Sequence, residues 1–123
     1  MFNFEKLEVW QKAIDFADLV YNQTRHFPAD ERFGLTNQMR RAVISISSNI
    51  AEGSSRSSKT DFARFTEIAT GSVFETVSQA FIAQRQGLFS DDQFREIYAD
   101  AEELSRMLSG LRKSLLSTLN SQP

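Results

Sequence analysis

Apolar residues recur along this chain at the three-and-four spacing of a helix that buries one side. In the first segment Leu7, Trp10, Ile14, Ala17 and Tyr21 form such a stripe, widened by Val9, Ala13, Phe16 and Val20, with charged and amide residues opposite. The pattern predicts a helix over about 4–26, stopped by Phe27-Pro28. A second stripe, Leu35, Met39, Ala42, Val43, Ile46 and Ile50, predicts a helix over about 30–53, with Asp30 as its cap. From Phe33 to Ala51 its only charges are Arg40 and Arg41, and Ser45, Ser47, Ser48, Asn49 and Ala51 occupy its other faces. So few charges point to a central helix or to one whose small-residue face lies against another subunit.

The turn Ser54-Ser55-Arg56-Ser57-Ser58 leads into a third helix over about 59–86, started by a capping box of Ser58 and Asp61. Phe62, Phe65, Ala69, Val73, Val77 and Ala80 line one side, and Ile68, Phe74, Phe81 and Ile82 extend the apolar surface over most of its girth. Gly71, in mid-helix, costs about 1 kcal/mol against alanine, a cost usually accepted where another backbone approaches. Gly87 closes the helix, and a second capping box, Ser90 with Gln93, opens a fourth over about 91–118. There Ile97, Ala101, Leu104, Leu108, Leu111 and Leu115 step by four and three, the 3.5-residue period of left-handed bundle packing. The tail after Leu119 is expected to fray. Long helices joined by short turns predict an all-α, antiparallel up-down-up-down four-helix bundle, with residues 1–123 as a single domain.

Composition supports one dry core. The chain has 123 residues, 41% of them hydrophobic, with eleven Phe against one Trp and two Tyr. Two prolines leave long stretches free of helix breakers. There is no cysteine, hence no disulfide, thiolate nucleophile or sulfur metal site. The charged N-terminus and the lack of an apolar run of roughly 18 residues predict a cytoplasmic protein, neither exported nor membrane-spanning. A net charge of −2 advertises no polyanion partner in bulk, so any nucleic-acid surface must be local.

Catalytic chemistry finds little footing. Helix bundles often hold metals through Glu-x-x-His pairs, but the single histidine, His26, follows Gln23 at that spacing and fits a helix C-terminal role better. Adjacent acids such as Glu102 and Glu103 point to different sides of a helix, and the serines have no nearby base. No catalytic residue, cofactor or metal site is predicted. The segment Gly53-Ser-Ser-Arg-Ser-Ser-Lys-Thr60 has the ingredients of a phosphate cradle but lacks the Walker spacing, and a polar turn with a cap accounts for it. Charge is more informative. Residues 32–64 hold six basic side chains against two acids, a balance of +4, whereas residues 91–103 hold six acids against one arginine, a balance of −5. The polarity fits a basic patch for phosphates, complementary surfaces that dock identical subunits head to tail, or a merely solvated exterior.

The run Gln38-Met-Arg-Arg-Ala-Val-Ile-Ser-Ile-Ser-Ser-Asn-Ile-Ala-Glu-Gly53, followed by Arg56, resembles the signature of the bacterial four-helix-bundle proteins encoded by intervening sequences in 23S rRNA genes. Flanking matches are Phe4-Glu-Lys-Leu-Glu-Val-Trp-Gln-Lys-Ala13, Phe27-Pro28, Glu31, Gly34-Leu35, Gly71-Ser72, Glu75 and Gln79, so the similarity covers essentially the whole chain. Ser47 stands where the family usually has proline, and Thr76, Val77 and Phe81 depart from its usual residues. The resemblance implies a bundle assembled as a homopentameric ring. It also implies kinship with the accessory protein of diversity-generating retroelements, a basic pentamer that partners a reverse transcriptase and binds nucleic acid.

Two functions follow as expectations. One is a non-enzymatic oligomeric adaptor that binds RNA or a nucleoprotein through Arg40, Arg41, Arg56, Lys59 and Arg64, each neutralising a phosphate. The other is a purely structural or protein-binding homo-oligomer in which Arg40 and Arg41 serve subunit contacts.

Overall fold

Helix ends here are set by which groups satisfy the terminal backbone amides and carbonyls. The computed structural model describes residues 1–120, with side chains through residue 117. Four helices, α1 (Glu8–Thr24), α2 (Leu35–Ser54), α3 (Lys59–Arg85) and α4 (Asp91–Asn120), are joined by short turns, and the described residues contain no strand. Neighbouring pairs are α1/α2, α2/α3, α3/α4 and α4/α1, and among the described residues the backbones of neither diagonal pair come as close. That is the square cross-section of an antiparallel up-down-up-down bundle.

Two helices start later than the apolar pattern predicts. Asn3–Lys6 forms a separate 3-10 turn because Leu7 is extended (φ −80°, ψ 122°), which breaks the path into α1. Phe2 donates its amide to Glu5 Oε2 at 2.8 Å, closing that turn. Asp30 caps nothing: it lies inside a second 3-10 turn, Ala29–Glu31, and α2 starts only after Gly34, where Glu31 Oε2 accepts from Leu35 N at 3.3 Å. The capping sites of the other two helices behave as their sequences suggest. Ser58 Oγ accepts from Asp61 N at 3.0 Å. Ser90 and Gln93 exchange two bonds, Ser90 N to Gln93 Oε1 at 2.9 Å and Gln93 N to Ser90 Oγ at 3.1 Å. Gly87, at φ +75°, allows the amides of Gly87 and Leu88 to turn back onto the carbonyls of Gln84 and Ala83, terminating α3. α4 runs to Asn120, past the end expected near Thr118; the frayed tail expected beyond it lies outside the described residues.

One continuous core runs the length of the bundle. α4 contributes Ile97, Ala101, Leu104 and Leu108, all essentially inaccessible, the stripe its 3.5-residue period marks out. α1 is rotated by about one residue from the simplest assignment: Val9, Ala13, Phe16 and Val20 are buried, while Trp10, Ile14 and Tyr21 are half-buried at the seams. The amphipathic rings belong there, Trp10 against Phe4 (4.8 Å between centroids) and Tyr21 beneath Arg40. α3 departs most. It gives the core small side chains, Ala63, Thr66, Ala69, Val73, Thr76, Ala80 and Ala83, and leaves Phe62, Phe65 and Val77 only half-buried. Its threonine hydroxyls are satisfied internally, Thr66 on Ala63 O at 2.6 Å and Thr76 on Ser72 O at 2.9 Å.

The small faces let α2 and α3 approach closely. A Cβ placed on Gly53 would lie 2.7 Å from Phe65 Cβ and 2.8 Å from Phe62 Cδ1, and Ser72 Oγ meets Ser45 Oγ at 2.9 Å. The close backbone approach expected at Gly71 is therefore found at Gly53. Around Gly71 nothing lies within 4 Å of where a Cβ would sit.

Candidate functional site

The five cations singled out from sequence do not form one patch. Arg40 and Arg41 lie near the start of α2, and Arg56, Lys59 and Arg64 lie around the α2–α3 turn. Fourteen residues of helix separate Arg40 from Ser54 at the end of α2, about 21 Å at 1.5 Å per residue, and Arg56 lies beyond that end.

Arg40 works inside the chain. Its Nε donates to Thr24 Oγ1 at 3.1 Å, its Nη2 to Tyr21 O at 3.4 Å, and its guanidinium lies 4.5 Å from the centre of the Tyr21 ring. Thr24 Oγ1 in turn donates to Val20 O at 2.8 Å. A cation thus sits at the negative end of α1 and ties it to α2. Arg41, one residue on, is exposed, with no ion pair among the described residues.

At the opposite end, Arg56 lies 3.9 Å from Glu52 and 4.8 Å from the centre of the Phe65 ring. Lys59 and Arg64 are exposed and enter no ion pair among the described residues. Because α4 runs antiparallel to α3, it brings exposed Lys113 to this same end, a cation that lies outside the basic stretch of the sequence. Neighbouring Arg112 is held by Glu67 at 2.6 Å. The serine-rich turn supplies no open phosphate cradle: Ser54 Oγ donates to Ala51 O and Ser55 Oγ to Glu52 O, both at 2.7 Å, and Ser58 is occupied as a cap.

The acids of α4 are largely engaged by their own chain. Lys12 Nζ lies 3.4 Å from Asp100 Oδ1 and 3.1 Å from Glu103 Oε2, joining α1 to α4. Burial alone would lower the Lys12 pKa, but the carboxylates of Glu103 and Asp100 outweigh it and raise it above the ordinary lysine value. Asp92 pairs with Arg95, Asp91 accepts from Gln84 and Glu96 accepts from Gln23. His26 is exposed just beyond α1, and among the described residues no three His, Asp or Glu side chains converge as metal ligands would.

The most distinctive surface is apolar. α3 turns outward Ile68 (47% exposed), Phe74 (65%), Phe81 (45%) and Ile82 (51%). On its α4 side, Phe74, Val77, Phe81 and Tyr98 line a groove of about 560 Å³, rimmed by Ser78, Glu102, Ser105 and Arg106. Phe81 packs on Phe94 at 4.7 Å between centroids and edge-on to Tyr98 at 6.2 Å, which fixes the wall of the groove. The sequence signal for this surface is the excess of large apolar residues around α3, more than one inward stripe needs. Which of them face out follows only from the packing.

Comparison with known proteins agrees with this architecture. A family model described as 23S rRNA-intervening sequence protein matches residues 5–110. No curated protein matches the chain significantly. Among solved structures, the chain is similar to a protein of unknown function of the S23 ribosomal protein family from Bacteroides thetaiotaomicron, with a TM-score of 0.79 and 25% identity. The match covers 85% of this chain and 95% of the other.

Proposed function

From the premise that the chain belongs to the 23S rRNA-intervening sequence protein family, we propose that it is a non-enzymatic assembly module whose copies associate through the outward face of α3. The assembled particle, a homopentameric ring if it follows the family resemblance, presents basic ends bearing Arg56, Lys59 and Arg64 to RNA or a nucleoprotein. The observation that carries the reading is the inversion of α3, which buries alanines and threonines and exposes phenylalanine and isoleucine. Phe74, Val77, Phe81 and Tyr98 share one groove on that side of the bundle, and an exposed apolar groove of this kind marks an interaction site. Gel filtration with light scattering tests it: the wild type is expected at a multiple of the 14.0 kDa chain, and Ile68→Asp/Phe74→Asp at the single-chain mass with its helical circular dichroism kept. A wild type at the single-chain mass overturns the reading.

The nucleic-acid part rests on Lys59 and Arg64, which are exposed and free of ion pairs within the described residues. Removing one cation from a phosphate should lower the salt slope of log K by about 0.7 to 0.9, so Lys59→Glu/Arg64→Glu is expected to weaken and flatten salt-sensitive RNA binding without changing the particle's mass. A second reading, an assembly that binds only protein, is favoured by the engagement of Arg40 and Arg56 within the chain. It predicts the same particle with no RNA shift even at low salt.

A further inference from the structure

We infer that the basic end of the bundle holds an unpaired strand, with the Phe2 ring as a platform on which one base stacks while the cations around it take the neighbouring phosphates. The inference rests on the RNA reading proposed above and specifies which form of the nucleic acid is bound.

Phe2 is 72% exposed, yet its ring is fixed. It lies nearly parallel to Phe4, with 13° between the planes and 5.8 Å between centroids, and Phe4 in turn packs on Trp10 at 4.8 Å. The three rings form a ladder rooted on α1, and the outermost ring keeps one face open. The backbone beneath is pinned as well. Phe2 N donates to Glu5 Oε2 at 2.8 Å, and Gln11 Nε2 donates to Glu5 O at 2.9 Å, which ties the 3-10 turn to α1. A platform ordered before its ligand arrives loses little freedom on binding.

The surroundings of the ring select the ligand. Phe2, Asn3 and Phe4 face Ala51, Ser54 and Ser55 across a hollow of about 230 Å³. Its apolar face is edged by polar groups: Ser54 and Ser55 donate to carbonyls of α2 and keep acceptor lone pairs, and the Asn3 amide brings a donor and an acceptor. A nucleobase matches that design, since its faces stack on rings and its rim carries hydrogen-bonding groups. A lipid tail or an aliphatic side chain would leave the polar edge without partners. In a duplex both faces of each base are already covered by stacked neighbours, so only an unpaired base has a face to offer.

Charge completes the arrangement. The hollow ends at Ser55, where Arg56 follows, and Lys6 stands at the other edge of the 3-10 turn. Lys6, Lys59, Arg64 and Lys113 are exposed and enter no ion pair among the described residues. Of the acids at this end, Glu5 is taken by the Phe2 amide and Glu52 by Arg56, which leaves Glu8 and Asp61 exposed against those four cations. Cations beside an open aromatic face are how proteins hold single strands.

The test compares a short fluorescent pyrimidine-rich RNA with the same strand annealed to its complement, using the full chain. The inference predicts tighter binding of the single strand. Phe2→Ala should lower that affinity by about 5- to 150-fold, the range for one lost base stack, with the salt slope unchanged because no charge is removed. Phe2→Leu, which keeps an apolar side chain but no ring, should lose as much, and Phe2→Trp should restore it; circular dichroism confirms that each variant keeps its helices. Equal binding of duplex and single strand, or a Phe2→Leu variant as tight as the wild type, would overturn the inference while leaving the RNA reading intact. So would vesicles of phosphatidylglycerol and phosphatidylcholine that bind the wild type and lose Phe2→Ala while the RNA affinity stays unchanged. No binding of either RNA at low salt would remove the RNA reading, and this inference with it.

Discussion

α3 and α4 are adjacent, antiparallel and similar in length, yet they spend their apolar residues in opposite ways. α4 puts Ile97, Leu104 and Leu108 inward, and charged residues such as Glu102, Glu103 and Arg106 outward. α3 puts alanines and threonines inward and Ile68, Phe74 and Ile82 outward. One helix is built to complete its own bundle, while the other is thin where it meets the bundle and bulky where it meets the outside. Where α2 and α3 come close, Gly53 of α2 makes room for Phe62 and Phe65 of α3, and Ser45 meets Ser72.

The contrast can be broken most severely on the α4 side. Leu104→Ala removes a fully buried side chain and should cost about 2–5 kcal/mol, read as a fall in the urea midpoint of a non-assembling background such as Ile68→Asp/Phe74→Asp. Gly53→Ala tests the contact between α2 and α3 in the same way. Its methyl would meet Phe65 Cβ and Phe62 and should cost about 1–3 kcal/mol. Gly71→Ala sharpens the comparison by reversing the sign: with open space around it, alanine should stabilise the single chain by about 1 kcal/mol, while loosening the assembly if another backbone lies there. Phe74→Ala should be smallest of all at the level of the single chain, within about 0.5 kcal/mol as for other exposed positions, although light scattering should show the assembly weakened. A Phe74→Ala effect as large as that of Leu104→Ala would mean that α3 is an ordinary core helix and that the contrast is false.

How much of the fold and of the site was legible in the sequence depended on whether a segment offered one arrangement or several. α4 was readable because its leucines repeat at a single period and its capping box, Ser90 with Gln93, is complete in the sequence. α1 was readable as a helix but not in rotation: two apolar sets one residue apart, Val9-Ala13-Phe16 and Trp10-Ile14-Ala17, compete, and ring amphipathicity moves Trp10 and Tyr21 to the seams. The start of α2 was misplaced because Asp30 looks like a cap, while Glu31, reaching forward to Leu35, does that work from inside a 3-10 turn. α3 offered apolar residues on nearly every face, so periodicity could not say which face wins. Packing against α2 selects the small residues, and no single-helix pattern contains that information. For the basic residues, identity was legible and grouping was not. A helix of twenty residues turns a cluster in sequence into two sites at opposite ends, and Arg40 is claimed by the α1 carboxyl end, a partner remote in sequence.

The most direct measurement is oxidative footprinting of aromatic side chains on the native protein across a dilution series. Phe33, 87% exposed and away from the proposed contact, serves as the internal standard for Phe74. The account predicts that Phe74 is several-fold less reactive than Phe33 at high protein concentration and approaches it on dilution to the single chain. Phe74 labelled as readily as Phe33 at every concentration would mean that nothing covers α3, and the account would be contradicted.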